Sequence, residues 1–226
     1  MFDRFEEKNA AKKLLHYQQR FFFVLFIPFL IATIVGSVAF QVTPDTDNIN
    51  TVFQQLYPAL FGTIIFEIIA GIFYWGAFAT AIDVLRGNND FNNPLRKSFS
   101  FIDNQGLFWH TVVLVIIIKV FTFLWTLLFF IPGIIKTFSY SQAIWIYRDA
   151  YLSGNKISYL EAITQSRQMM NHHKLEYFVL QLTFVGWMIL TEITAGIVGI
   201  YAFPYMGITY AKYYLFVKGE YEKVSQ

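Results

Sequence analysis

The sequence predicts an all-α integral membrane protein, a polytopic bundle of transmembrane helices. Of its 226 residues, 56% are hydrophobic and 20% are aromatic, whereas only 14% are charged. Soluble domains carry roughly a quarter charged residues, so this little charge cannot cover so much apolar surface in water. Predominantly apolar runs recur along the chain at lengths that match the hydrocarbon core of a bilayer. One membrane domain is the simplest interpretation.

Composition also excludes several function classes. The net charge is only +2, which gives no reason to expect a nucleic-acid partner. The chain has no cysteine, and this excludes disulfides, thiolate metal sites and a cysteine nucleophile. Walker loops, Rossmann glycines and nucleophile elbows are also absent from the sequence, so a conventional soluble hydrolase, kinase or dehydrogenase is not indicated. We expect no cofactor.

The first three spans follow from charge and hydropathy. Residues 1–20 mix basic, acidic and apolar side chains and predict a helix lying at the inner membrane surface. Residues 21–40 carry no charge and, at about 1.5 Å per helical residue, are long enough to cross. The polar loop at 41–57 lacks Lys and Arg and therefore marks the outer side. Spans at 58–85 and 107–131 follow, joined by a basic, turn-rich segment.

The segment 132–151 decides the topology, because its polar residues make it the weakest span. If it crosses, every basic residue except Lys119 and Lys136 falls on one side of the membrane, as the positive-inside rule requires. Two further spans are predicted at 175–199 and 200–217. We therefore predict six spans, with both termini in the cytoplasm.

Two short segments complete the predicted cytoplasmic side. Ser158 and Glu161 have the spacing of a capping box, which predicts that a helix begins there. This cytoplasmic helix is expected at 158–171, resting on the inner leaflet or under the bundle. Residues 218–226 form the predicted cytoplasmic tail.

Four ionisable residues inside the predicted spans form a candidate intramembrane polar site: Glu67, Lys119, Lys136 and Glu192. Charged groups at membrane depth are costly and usually face the bundle interior or water. They could line an interior site for a zwitterionic or charged ligand, a proton or an ion. The alternative is a set of structural ion pairs that fixes the register of the helices, which is the commoner role of such groups.

A second candidate site is the juxtamembrane segment around the end of the predicted cytoplasmic helix. Its members are candidate contacts for anionic lipid headgroups: Arg167, His172, His173 and Lys174. The spacing of the two adjacent histidines matches no known zinc-binding pattern. Neighbouring side chains also diverge on a helix, so the two rings would not face one ion. We therefore expect no metal here.

Five short motifs resemble a known family: Ile131-Pro-Gly-Ile-Ile-Lys136, Phe138-Ser-Tyr-Ser141, Ser166 through Met170, His173-Lys174 and Phe184-Val-Gly-Trp187. On these residues the chain resembles, over essentially its whole length, the bacterial integral membrane proteins catalogued as domain-of-unknown-function family 975. The resemblance implies a multi-pass protein of the bacterial cytoplasmic membrane. It also implies a distant likeness to the membrane portion of some glycerophosphodiesterases, whose catalytic domain has no counterpart here.

The chain departs from the family pattern at two places. Asn171-His172 stands where a glycine usually precedes His-Lys, and Ala150 follows Arg148-Asp149 in place of an Asn-Pro type of turn. Both departures lie near the predicted cytoplasmic segment.

The leading functional hypothesis is a non-enzymatic membrane factor. It would bind membrane lipids or a partner and support envelope homeostasis, resistance or immunity, or serve as an accessory subunit of another membrane machine. A membrane-protein partner and a second copy of the chain both remain open as binding partners. The second hypothesis is a small transporter or channel that uses the buried Glu and Lys residues. The third is a membrane-embedded lipid-headgroup enzyme, which needs a polar cleft with a base and access to water.

Overall fold

The computed structural model describes residues 2–39 and 49–225, and every regular element in these residues is a helix. The all-α prediction is therefore confirmed. In chain order the helices are α1 (Arg4–Tyr17), α2 (Gln19–Ala39), α3 (Ile49–Leu85), α4 (Pro94–Ser98), α5 (Ser100–Asp103), α6 (Gln105–Leu128), α7 (Phe130–Tyr140), α8 (Ala143–Leu152), α9 (Tyr159–Met169), α10 (Lys174–Leu182), α11 (Val185–Ile193) and α12 (Gly199–Ser225).

Four helical stretches are long and apolar enough to cross a membrane: Gln19–Gly36, Ile68–Leu85, Gly106–Leu128 and Lys174–Ile193. The third has the highest mean hydropathy, 2.5, although only 11% of it is buried within the chain. Large apolar side chains such as Phe123 and Leu127 are accordingly 65% and 73% exposed on α6. Because such a surface is unfavourable in water, the four stretches support a multi-pass membrane protein.

The segment predicted as the fourth span, 132–151, forms two helices, α7 and α8, around a turn at Ser141 and Gln142. The buried hydroxyl of Ser166 on α9 explains the turn. It accepts a hydrogen bond from the Gln142 backbone N–H at 3.2 Å and donates one to the Ser139 carbonyl at 2.8 Å. Backbone groups at a helix break need such partners when no water reaches them.

The segment predicted as the fifth span, 175–199, is also interrupted, by a turn at Thr183 between α10 and α11. The Thr183 hydroxyl accepts a hydrogen bond from Lys8 Nζ at 2.9 Å. A second turn precedes α12 and contains Gly196 at a φ of +91°. A Cβ at that position would lie 2.8 Å from the Ile34 side chain, so the turn needs a glycine for both conformation and space.

The helix α3 begins earlier than the second predicted span, which was placed at 58–85. It starts at Ile49, so residues 49–57 are helical and their assignment to a loop was wrong. The reason is that no glycine or proline interrupts this stretch. The remaining part of the predicted outer loop, 41–48, lies outside the described residues.

The chain divides into two compact units. The first contains Met1–Ala11, Phe101–Val185 and Ile208–Gln226, and the second contains Lys12–Ser100 and Gly186–Gly207.

In the second unit, α4 packs closely against α2 and α3. A Cβ at Gly76 of α3 would lie only 2.0 Å from the Ser98 carbonyl oxygen of α4. Ser98 is fully buried, and its hydroxyl donates a hydrogen bond to the Leu25 carbonyl of α2. The small residue at 76 therefore lets three helices meet at one point.

In the first unit, the start of the chain is anchored on α12. Phe2 is 3% exposed, and its ring packs edge-on against Tyr213 with 5.1 Å between centroids. Lys212 forms an ion pair with Glu7 of α1 at 2.6 Å. The first turns of α1 are thus held by protein contacts, while the membrane-surface placement of the segment 1–20 stays a prediction.

Candidate functional site

The loop between α8 and α9 is fixed at both ends by local hydrogen bonds. At the end of α8, Gly154 has a φ of +78°, and its N–H donates to the Tyr151 carbonyl at 3.2 Å. The Asn155 N–H donates to the Ala150 carbonyl at 2.9 Å, which completes a Schellman motif. At the other end, the Ser158 hydroxyl accepts the Glu161 N–H at 3.1 Å, so the predicted N-cap is confirmed.

This loop, α6 and α8 enclose a pocket of about 390 Å³. The pocket is lined by His110, Tyr147, Tyr151, Gly154, Asn155, Lys156 and Ile157. His110 comes from α6, the two tyrosines come from one face of α8, and the remaining residues come from the loop. The residues of the loop are the most exposed of these, so the pocket opens on the loop side. We call this set of residues the His110 pocket.

Ring contacts hold the wall of the His110 pocket together. The His110 Nδ1 atom lies 2.6 Å from the Tyr159 hydroxyl of α9, in a hydrogen bond whose donor depends on the histidine tautomer. Tyr159 also stacks on Tyr147, with 5.4 Å between centroids and 29° between the ring planes. The Tyr147 and Tyr151 rings each lie 5.8 Å from the His110 ring. The histidine is therefore positioned by residues of two other helices.

Gly106, one turn before His110, makes room for the Tyr151 hydroxyl. A Cβ at this position would lie 2.3 Å from that oxygen, well inside the van der Waals distance. Any larger residue at 106 would therefore push the phenol away from its present place. The location of the Tyr151 hydroxyl depends on this single backbone position.

The charge balance of the His110 pocket is positive. Among the described residues that line it, Lys156 is the one permanently charged side chain and none is a carboxylate. Asp149, on the same helix as the two tyrosines, is engaged elsewhere. Its Oδ2 atom accepts hydrogen bonds from the Tyr214 hydroxyl at 2.6 Å and from Lys218 Nζ at 2.7 Å.

The predicted headgroup contacts lie at the turn between α9 and α10. We call residues 167–174 the basic turn. Arg167 and His172 are exposed, and His172 adopts a φ of +68°. His173 is half-buried, with its Nδ1 atom 3.1 Å from Glu176 Oε2. Two of the four predicted contacts, Arg167 and His172, are thus open to a ligand.

Glu176 joins the basic turn to the start of the chain. Its Oε1 atom accepts the backbone N–H of Phe2 at 2.9 Å, while its other oxygen faces His173. The backbone carbonyl of His173 accepts a hydrogen bond from the Tyr213 hydroxyl at 2.9 Å. These bonds hold His173 on the protein, so the turn presents its cationic groups from a fixed backbone.

The four predicted intramembrane residues belong to different parts of the chain. Lys119 and Lys136 are in the first unit, whereas Glu67 and Glu192 are in the second. Lys119 and Glu192 are exposed. Lys136 is half-buried, with its Nζ atom 4.4 Å from the centre of the Trp125 ring. The side chain of Glu67 lies outside the described residues, and a site shared by all four stays a prediction.

Metal binding has no support in the part of the chain that the structure describes, where no group of three or more His, Asp or Glu side chains could hold an ion. The His110 pocket was not predicted from the sequence. Two signals were available. Tyr147 and Tyr151 have the i, i+4 spacing of one helix face, and Gly154-Asn155 is a turn signal next to Lys156.

Comparison with known proteins identifies a family but no function. The family model described as "Protein of unknown function (DUF975)" matches residues 1–158 and 131–220, which confirms the resemblance found in the sequence. No curated protein and no solved structure matches the chain. The distant likeness to the membrane portion of glycerophosphodiesterases therefore stays a prediction.

Proposed function

Since the chain belongs to the DUF975 family of proteins of unknown function and has helices apolar enough for a membrane, we propose that it is a non-enzymatic, multi-pass membrane protein that binds anionic lipid headgroups. Its role would be that of an accessory or envelope-homeostasis factor in the bacterial cytoplasmic membrane. The observation that carries the proposal is the basic turn, which presents cationic side chains from a backbone held by α12 and Glu176.

The electrostatics of the basic turn favour an anionic surface. Residues 167–174 include Arg167 and Lys174 but no acidic residue. The next acidic residue along the chain, Glu176, already contacts His173 and the Phe2 N–H. A Lys or Arg near an anionic membrane surface contributes about 1 kcal/mol to binding. Two such residues correspond to roughly a 30-fold preference for anionic over neutral lipid.

We also propose six spans with both termini in the cytoplasm. The sorting of basic residues supports this topology, because only six crossings put all of them except Lys119 and Lys136 on one side. The basic turn would then face the cytoplasmic leaflet, where anionic lipids attract juxtamembrane cations.

Lipid selectivity tests the proposed function. The purified chain, in detergent, would be titrated with short-chain phosphatidylglycerol or phosphatidylcholine, and bound lipid would be counted by native mass spectrometry. We expect preferential binding of phosphatidylglycerol, and we expect the double variant Arg167→Gln, Lys174→Gln to lose most of that preference. Lys223→Gln, which removes a 78% exposed lysine far along α12, is the matched control and should change nothing. Equal binding of both lipids by the native chain would contradict the proposal.

Labelling tests the topology, and the absence of native cysteine makes it direct. Single-cysteine variants Thr46→Cys and Ser153→Cys would be exposed to a membrane-impermeant maleimide on intact cells. Thr46→Cys should react, whereas Ser153→Cys should react only after the membrane is permeabilised. Ser153 is exposed in the α8–α9 loop, so its substitution should not disturb the fold. Reaction of Ser153→Cys in intact cells would rule out six crossings in this order.

A further inference from the structure

The His110 pocket is a second binding site, separate from the basic turn, and we propose that it binds the phosphate group of a small phosphate ester. The proposal concerns residues 110 and 147–157 of the first unit. It does not depend on the lipid preference of the basic turn. Both sites lie in the first unit but have no residue in common, so variants of one can be tested without altering the other.

The hydrogen-bond donors of the His110 pocket suit an anion. The Lys156 ammonium carries a full positive charge, and two further lining residues, Asn155 and Tyr151, carry an amide and a hydroxyl that can donate. A phosphate has three strongly accepting oxygens, and three donors of this kind can each take one. The one nearby carboxylate on α8, Asp149, is bonded to Tyr214 and Lys218 and so does not oppose the ligand.

A cation is a poorer occupant of the same space. Hard cations need several carboxylate or carbonyl oxygens, and transition metals need at least two or three nitrogen or sulfur donors. Among the described residues lining the His110 pocket, the imidazole of His110 is the single side chain of the metal-binding types. The fixed charge of Lys156 would repel a cation further.

The size and walls of the pocket favour an ester over the bare ion. Its volume of about 390 Å³ lies at the small end of the range for organic ligands. Tyr147 is only 7% exposed, and with Tyr151 it forms an aromatic wall beside the donors. This wall can pack against the alkyl or alcohol part of an ester. A bare ion would leave that surface uncovered.

The pocket is formed before any ligand arrives. The Schellman motif at Gly154 and the N-cap at Ser158 fix the loop that carries Lys156. Tyr159 holds His110 through the 2.6 Å hydrogen bond, and Gly106 leaves the space that the Tyr151 hydroxyl occupies. Preformed geometry reduces the conformational entropy lost on binding, so a few donors are enough for measurable affinity.

Calorimetric titration of the purified full chain tests the proposal, with three probes: inorganic phosphate, methyl phosphate and dihexanoyl phosphatidic acid. We expect saturable binding of at least one ester. Lys156→Gln should weaken it at least tenfold. Tyr151→Phe should weaken it several-fold, because the ring remains and only one donor is lost. Gly106→Ala should also weaken it, by displacing the same hydroxyl, and Lys223→Gln is the matched control.

The three probes distinguish the sources of the ester. Binding of the short-chain lipid alone assigns the pocket to a lipid headgroup when Lys156→Gln abolishes it and the double variant Arg167→Gln, Lys174→Gln retains it. Equal binding of methyl phosphate assigns the pocket to a soluble ester. Affinity for inorganic phosphate equal to that for both esters would overturn the preference for an ester. Equal affinities of the native chain and Lys156→Gln, with both shown to be folded by their thermal unfolding, would overturn the site itself. Loss of lipid preference at the basic turn leaves these outcomes unchanged.

Discussion

Replacing Ser166 by alanine removes the one hydroxyl that satisfies both sides of the break between α7 and α8. Ser166 is fully buried, and the two residues it contacts, Ser139 and Gln142, are 1% and 3% exposed. The variant leaves a backbone N–H and a backbone carbonyl without the partner that Ser166 supplies. Each buried group deprived of its partner costs about 1–3 kcal/mol. Some relaxation is expected at the turn, so we predict a loss of about 2–4 kcal/mol in the free energy of unfolding.

The assay is reversible unfolding of the purified chain in mixed detergent micelles with increasing SDS, followed by tryptophan fluorescence. The control is Ser153→Ala, which deletes a similar bond from a serine hydroxyl to a backbone carbonyl, at 3.0 Å, but at an exposed site. That variant should lose less than about 0.5 kcal/mol, because water replaces the hydroxyl. If Ser166→Ala is no less stable than Ser153→Ala, the hydroxyl does not hold the break and our explanation of the turn is wrong.

Three further predictions concern other parts of the two units. Gly76→Ala should destabilise the chain by about 1–3 kcal/mol through overpacking against α4, whereas Gly219→Ala, with no atom within 4 Å of the added Cβ, should be neutral or slightly stabilising in the same unfolding assay. Asp149→Asn should lower the free energy of unfolding by about 1–3 kcal/mol in the same assay, because it weakens two charge-assisted hydrogen bonds to α12. The hydrogen bond from Lys97 holds the pKa of Asp90 below its ordinary value of 3.8, so this pair stabilises the fold above that value and the effect is lost as pH falls through the lowered pKa. An NMR titration should show the Asp90 midpoint rising toward its ordinary value in Lys97→Gln.

The apolar helices could be predicted because hydropathy and length are properties of one segment. α2 and α6 occupy most of the runs predicted at 21–40 and 107–131, and α2 continues through Pro28. The N-cap at Ser158 was predictable for the same reason, since both of its hydrogen-bonding residues lie within one turn. Local signals of this kind need no knowledge of the tertiary structure.

The break between α7 and α8 could not be predicted, because the residue that stabilises it is distant in sequence. Ser166 lies 27 residues beyond Ser139 and 24 beyond Gln142. From the sequence, the polar side chains near 139–142 only lowered the hydropathy of the fourth predicted span. In the structure, the same stretch supplies backbone groups that bond to another helix.

The His110 pocket could not be assembled from the sequence for a similar reason. The tyrosine spacing on α8 indicates a shared face but not what that face meets. His110 is contributed by α6, and Tyr159, which orients it, comes from α9. From the sequence, Lys156 is one of several basic residues on the predicted cytoplasmic side. In the structure, the Schellman motif directs its loop so that Lys156 lines the same pocket as the two tyrosines.

Locating the two termini does not distinguish four crossings from six. The four stretches that can span by length and composition, and the six that the charge pattern favours, are both even numbers, so each places the two termini on the same side. The two topologies differ in where they put the α8–α9 loop and the basic turn. In the four-span topology only three crossings precede the loop at 153–157, so the loop is outside. In the six-span topology α7 and α8 form a fourth crossing before it, so the loop is inside. Terminal reporter fusions would therefore give one answer for both arrangements, whereas the Ser153→Cys label separates them. The same label decides whether the His110 pocket and the basic turn meet cytoplasmic ligands.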